Sequence, residues 1–174
     1  MTDTSNNTSS APSPAQDASF KDAKILIVDD NEQNTELLQA YLDALPCEIQ
    51  TAGNGIDALE AVQKDQPDLI LLDIMMPRMS GYEVCEKLKA DRRTKDIPIV
   101  MVTALNEVGD VERGVEAGTD EFLSKPFNKL ELLTRVRSLL KMRLLKKELE
   151  GLTEDPDAEC ERRQHLDDQT SPGG

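Results

Sequence analysis

Five short apolar runs, each bounded by polar residues, punctuate the middle of this chain: KILIVDD (24 to 30), CEIQTA (47 to 52), DLILLD (68 to 73), IPIVMVT (97 to 103) and DEFLSK (120 to 125). Three of them are unbroken, as strands buried on both faces of a parallel sheet must be. The gaps between them carry helical periodicity instead. Leu37, Leu38, Tyr41, Leu42 and Leu45 recur at helical spacing after the first run, and Ile56, Leu59 and Val62 after the second. Strict alternation of strand and helix predicts a doubly wound α/β fold with right-handed crossovers, in which ligands sit beyond the carboxyl ends of the strands.

Two helix starts are marked by capping residues: Ser80 followed by Glu83, and Asn128 followed by Glu131. The flanks read differently. Residues 1–22 are small and polar, with too little apolar surface to offset ordering entropy, and are expected to be a disordered tail. The domain is expected over 23–143 and a helical extension over 144–152. A second disordered tail is expected over 153–174, where seven carboxylates face two arginines.

The net charge of −14 sets phosphate backbones and anionic membrane surfaces against the molecule, so no direct nucleic-acid or membrane partner is expected. No apolar run reaches the roughly 18 to 20 residues of a membrane span, and the N-terminus has no apolar leader core. Cys47, Cys85 and Cys160 are odd in number and form no metal-binding pattern. They read as reduced thiols, the first two in the core, in a cytoplasmic protein.

The ends of the runs are more specific. The first ends in Asp29-Asp30, the third in Asp73, the fourth in Thr103 and the fifth in Lys125. A parallel sheet gathers these side chains at one edge, where three carboxylates repel one another unless a cation sits among them. Mg²⁺ and Lys125 meet that need, because Mg²⁺ takes one or two carboxylates, a carbonyl, waters and a phosphate oxygen.

ILIVDDN, PDLILLDIMMPRMSGYEVC, IPIVMVTA and EAGTDEFLSKPF, with their spacing, resemble the receiver domain of response regulators over roughly residues 24 to 143. The resemblance implies a flavodoxin-like five-stranded parallel sheet in the order 2-1-3-4-5 with five flanking helices. It implies Asp73 as phosphoacceptor, Mg²⁺ held by Asp29, Asp30, Asp73 and the backbone carbonyl of Met75, and Thr103 and Lys125 on the phosphoryl oxygens. It further implies Phe122 as the switch aromatic and Pro126 as a candidate cis peptide. The phosphodonor implied is a sensor histidine kinase or histidine phosphotransfer protein. The downstream protein target is unspecified, and a phosphorylation-dependent homodimer through helix 4, strand 5 and helix 5 is a further expectation. The one histidine, His165, lies in the acidic tail and reads as solvated.

Two positions depart from the commonest family pattern, and others bear on the lifetime and the response. Phe122 stands where many relatives carry Tyr and so lacks a hydroxyl to hold an inward rotamer. Ser80 stands where Asp is frequent, with equal capping power. Met75 and Leu105 are both apolar, which predicts restricted water access and a long-lived phosphoaspartate. Gly109 and Gly114 interrupt a helix whose apolar positions are Val108, Val111 and Val115. Each interior glycine costs roughly 1 kcal/mol relative to Ala, so a marginal fourth helix that phosphorylation repositions is expected. Met142, Leu145, Leu149 and Leu152 fit a two-heptad seam, which suits an amphipathic extension and a dimer zipper equally.

The function expected is that of a phosphorylation-dependent regulator signalling by protein contact, with no enzyme activity beyond assisting its own phosphorylation and dephosphorylation. The alternative is a receiver module separated from a diguanylate cyclase or other output domain. An aspartate-nucleophile phosphatase would need a second Asp where Met75 stands. A flavin-binding module is disfavoured by carboxylates where an anionic cofactor phosphate would lie.

Overall fold

A computed structural model of the chain describes residues 17–104 and 108–153. The expectations for residues 1–16, Leu105, Cys160, His165 and the acidic tail fall outside the described residues. The chain divides into two units, residues 1–143 and 144–174. In the first, five strands and five helices alternate: β1 (Lys24–Val28), α1 (Glu32–Leu42), β2 (Glu48–Ala52), α2 (Gly55–Lys64), β3 (Leu69–Asp73), α3 (Gly81–Ala90), β4 (Ile99–Thr103), α4 (Val108–Ala117), β5 (Glu121–Ser124) and α5, which starts at Lys129 and ends in the second unit at Thr153.

All pairings are parallel and the strand order is β2-β1-β3-β4-β5. The unbroken apolar runs form the three inner strands, where β3 and β4 are buried at every position. The edge strand β2 is buried only at Ala52, which explains its mixed composition. Side chains alternate across the sheet. Leu26, Val28, Ile70, Leu72, Ile99 and Met101 join one core cluster with Ala58, Val62, Val84, Leu88 and Ala117 of α2, α3 and α4. Ile25, Ile27, Leu69, Leu71, Val100 and Val102 point the other way, to the face left for Leu38, Leu42, Leu132, Val136 and Leu140 of α1 and α5.

Helix starts follow their caps. Asn31 accepts from Gln33 and Asn34, Asn54 accepts from Ile56 and Asp57, and Ser80 forms a full capping box with Glu83. The Asn128 side chain accepts from the Glu131 N–H at 2.8 Å.

Two expectations are corrected, for Cys47 and for the boundary at residue 22. Leu37 and Ile56 lie on exposed sides of α1 and α2, and Leu45, though buried, follows the end of α1. Cys47 is half-buried, so Cys85 alone of the described thiols belongs to the core. The boundary at residue 22 is too late. Asp17 and a 3₁₀ turn over Ala18–Phe20 precede β1, Phe20 is buried, and Asp17 makes a bidentate pair with Arg137 at 2.9 and 3.0 Å.

α4 packs by its small residues. Val111 and Val115 are exposed, and the helix buries Gly114 and Ala117 instead. The reason is the Phe122 ring: a Cβ on Gly114 would lie 2.1 Å from Phe122 Cζ. Gly114 therefore makes room for a ring, while Gly109 has nothing within 4 Å of that position. Gly114→Ala is expected to destabilise the protein by about 1–3 kcal/mol through overpacking. Adding Phe122→Leu should restore part of that loss, as read by urea denaturation.

Candidate functional site

Asp29 directly follows β1, and Asp73, Thr103 and Lys125 stand at or just beyond the carboxyl ends of β3, β4 and β5. Parallel strand register brings all of them to one edge, with Thr103 opposite Ser124 and the Lys125 N–H donating to the Thr103 carbonyl at 2.8 Å. Asp29, Asp73 and Thr103 are buried, whereas Asp30 is exposed.

Carboxylate oxygens of Asp29, Asp30 and Asp73 lie within 4.8 Å of one another. Lys125 Nζ reaches Asp29 Oδ2 at 3.3 Å and Asp73 Oδ1 at 3.5 Å. The other Asp29 oxygen accepts from the Asn31 N–H at 2.9 Å and from Asn34 Nδ2 at 3.4 Å. One ammonium thus faces two buried carboxylates and a third beside them. Burial pushes the Asp73 carboxyl up to about 6, with Lys125 opposing the rise and the Asp29 charge adding to it.

A hard divalent cation suits this donor set: carboxylate oxygens only, close together, with more negative charge than Lys125 balances. Met75, two residues beyond Asp73 in the loop to α3, has a largely exposed side chain. That loop is fastened at its far end, where the Gly81 N–H donates to the Ile74 carbonyl at 2.9 Å. A Cβ on Gly81 would lie 2.3 Å from the Asp73 carbonyl oxygen, so only glycine permits this approach of α3 to the strand end. Phe122 packs against the core cluster and lies over Gly114, and the Lys125–Pro126 peptide is cis.

Beside the edge, Asn34, Leu37, Leu38, Lys125, Pro126 and Phe127 line a cavity of about 180 Å³. An acidic cleft flanks Asp29 and Asp30, lined in part by Glu32, Glu36 and Gln39 of α1. Sequence reasoning passed over Asn34, whose amide steadies Asp29, and Tyr82, which reaches α4. No residue pattern signals either contact: Asn34 reaches a side chain, and the Tyr82 hydroxyl reaches a backbone carbonyl of another helix.

Comparison with known proteins agrees with this geometry. Residues 25–137 match the response regulator receiver domain. The chain is 49% identical over 127 residues to the response regulator PleD of Caulobacter vibrioides, a stretch covering 73% of this chain and 28% of that protein. It is 42% identical to the DNA-binding dual master transcriptional regulator RpaA of Synechocystis over 68% of this chain and 49% of the relative. The matched part thus spans at most about half the length of these relatives.

Among solved structures, a response regulator from Chloroflexus aurantiacus superposes with a TM-score of 0.66 at 34% identity, covering 69% of this chain and 98% of that one. The chemotaxis protein CheY4 of Vibrio cholerae gives 0.64 at 31% identity, covering 68% and 98%. With strand order, acidic edge and sequence match in agreement, the chain belongs to the response regulator receiver domain family.

Proposed function

We propose that this chain is a phosphorylation-dependent switch of a two-component phosphorelay, acting in the cytosol. Asp73 accepts a phosphoryl group from the phosphohistidine of a sensor histidine kinase or histidine phosphotransfer protein, and the signal leaves by protein contact. The observation that carries this reading is the meeting of three carboxylates and one ammonium at the carboxyl edge of a parallel sheet. Asp29, Asp30, Asp73 and the Met75 carbonyl would hold Mg²⁺, which supplies positive charge to the phosphoryl oxygens.

The protein's own groups do the rest. An Asp73 oxygen attacks phosphorus as the bond to the donor imidazole nitrogen breaks, so Asp73 must be ionised and in line. Lys125 and the Thr103 hydroxyl donate to the phosphoryl oxygens, and Asp29, held by Asn31 and Asn34, keeps Lys125 in place. Phe122, packed over Gly114, would carry the change to α4. Exposed Val111 and Val115 on α4 support an output surface there, including self-association through α4, β5 and α5.

A second reading, a receiver module separated from a diguanylate cyclase or other output domain, is supported by the small share of PleD that is matched and by the run of α5 to Thr153. The test of the shared core is incubation with Mg²⁺ and acetyl phosphate, followed by intact mass. The wild type should gain one acid-labile phosphoryl group and Asp73→Asn none. No gain in the wild type, or equal gain in the variant, would sink it.

A further inference from the structure

Among its described side chains, α4 buries little apolar surface. Its valines at 111 and 115 face solvent, Gly114 presents backbone to the Phe122 ring, and Ala117 supplies a single methyl to the core. Further ties come from α3. Tyr82, the second residue of that helix, is only 3% exposed, and its ring belongs to the main core cluster. Its hydroxyl donates to the Asp110 carbonyl of α4 at 3.1 Å, and the Arg113 guanidinium carbon lies 4.7 Å from its ring centroid. Burial, together with the Asp110 charge, holds the phenol above its usual range, so the hydroxyl remains a donor.

The residue before Tyr82 is the glycine pressed against the Asp73 carbonyl, and the one before that is the Ser80 cap. Tyr82 therefore starts beside the end of the acceptor strand and ends on α4. A phenol can tie two helices in this way because one side chain offers both a face for a cation and a directional donor. Losing either contact leaves the ring in the core and releases only the helix beyond it.

We infer that Tyr82 is a latch that fixes the position of α4 from the Asp73 strand end, in parallel with the Phe122 contact from β5. Tyr82 acts as a positioning residue through Asp110 and Arg113. Its part in signalling rests on the phosphoacceptor reading above, whereas its hold on α4 does not.

Amide hydrogen exchange on the full chain separates the two. In Tyr82→Phe, which keeps the ring, exchange across Val111–Ala117 should quicken about fivefold or more, with α2 unchanged. Arg113→Met should quicken α4 by roughly two- to fivefold, and Arg113→Lys should restore most of the protection. Unchanged α4 exchange in Tyr82→Phe, or equal quickening in α2, would overturn the latch. Titration with beryllofluoride and Mg²⁺ then tests the coupling. Tyr82→Phe should reach the altered α4 exchange at a lower concentration than wild type, and an unshifted midpoint would remove Tyr82 from the signal path. A wild type that never responds would defeat the phosphoacceptor reading, while the exchange data without beryllofluoride still decide the latch.

Discussion

Replacing Lys125 with methionine should slow phosphorylation of Asp73 by acetyl phosphate on the order of 100- to 1,000-fold, the usual cost of removing one preorganised charge partner from a developing anion. Lys125 Nζ stands 3.3 Å from Asp29 and 3.5 Å from Asp73, so the same ammonium that steadies the resting carboxylates is in reach of a phosphoryl group on Asp73. Divalent-ion binding should move in the opposite direction. Without Lys125 the three carboxylates lose their internal cation, and Mg²⁺ should bind more tightly, by roughly tenfold for a charge removed at such distances. Initial rates by intact mass and Mg²⁺ titration by calorimetry check the two halves. A rate that falls together with Mg²⁺ affinity would mean that Lys125 props up the fold of the edge instead.

The second large effect is on stability. Asp73→Asn should stabilise the metal-free protein at pH 7 by about 2–3 kcal/mol, even as it abolishes phosphorylation. The sign follows from the raised carboxyl: with an ordinary value of 3.8 in the unfolded chain and about 6 in the fold, the folded state binds the proton more tightly. The favourable contribution is complete below pH 3.8 and is lost as pH rises through 6, a shift of roughly two units at 1.36 kcal/mol each. Other carboxylates titrate over the same range, so the readout is the difference in urea stability between wild type and variant. That difference should grow from pH 4 to pH 6 and then level off. Adding Mg²⁺ should raise wild-type stability and leave the variant less affected. A difference independent of pH would show that Asp73 does not carry the strain.

Much of this was legible in the sequence, for physical reasons. β1, β3 and β4 occupy the sheet interior, and a strand covered on both faces must be apolar throughout, which periodicity detects directly. The Ser80–Glu83 box is a local contact between residues three apart, so its signature is local too. Asp29, Asp73, Thr103 and Lys125 could be grouped because parallel strands put all their carboxyl ends on one side. The packing of α4 is less legible, because its inward face is defined by what is missing. Gly114 faces the core to admit Phe122, a residue eight positions later on a different element, while Val111 and Val115 carry the apolar signal outward. The Tyr82 contact with α4 depends on two helices meeting, which no spacing within either one records.

The pairing of Asp17 with Arg137 bears on where this chain can be cut. The receiver match begins at residue 25, and a fragment begun there would discard Phe20 and Ala23, both buried, together with the one carboxylate that Arg137 grips with two nitrogens. The guanidinium, now four-fifths shielded, would lose its paired carboxylate and have to be rehydrated. A minimal expression fragment should therefore start ahead of Asp17, and an affinity tag fused close before Lys24 would displace the segment that carries Phe20 and Asp17.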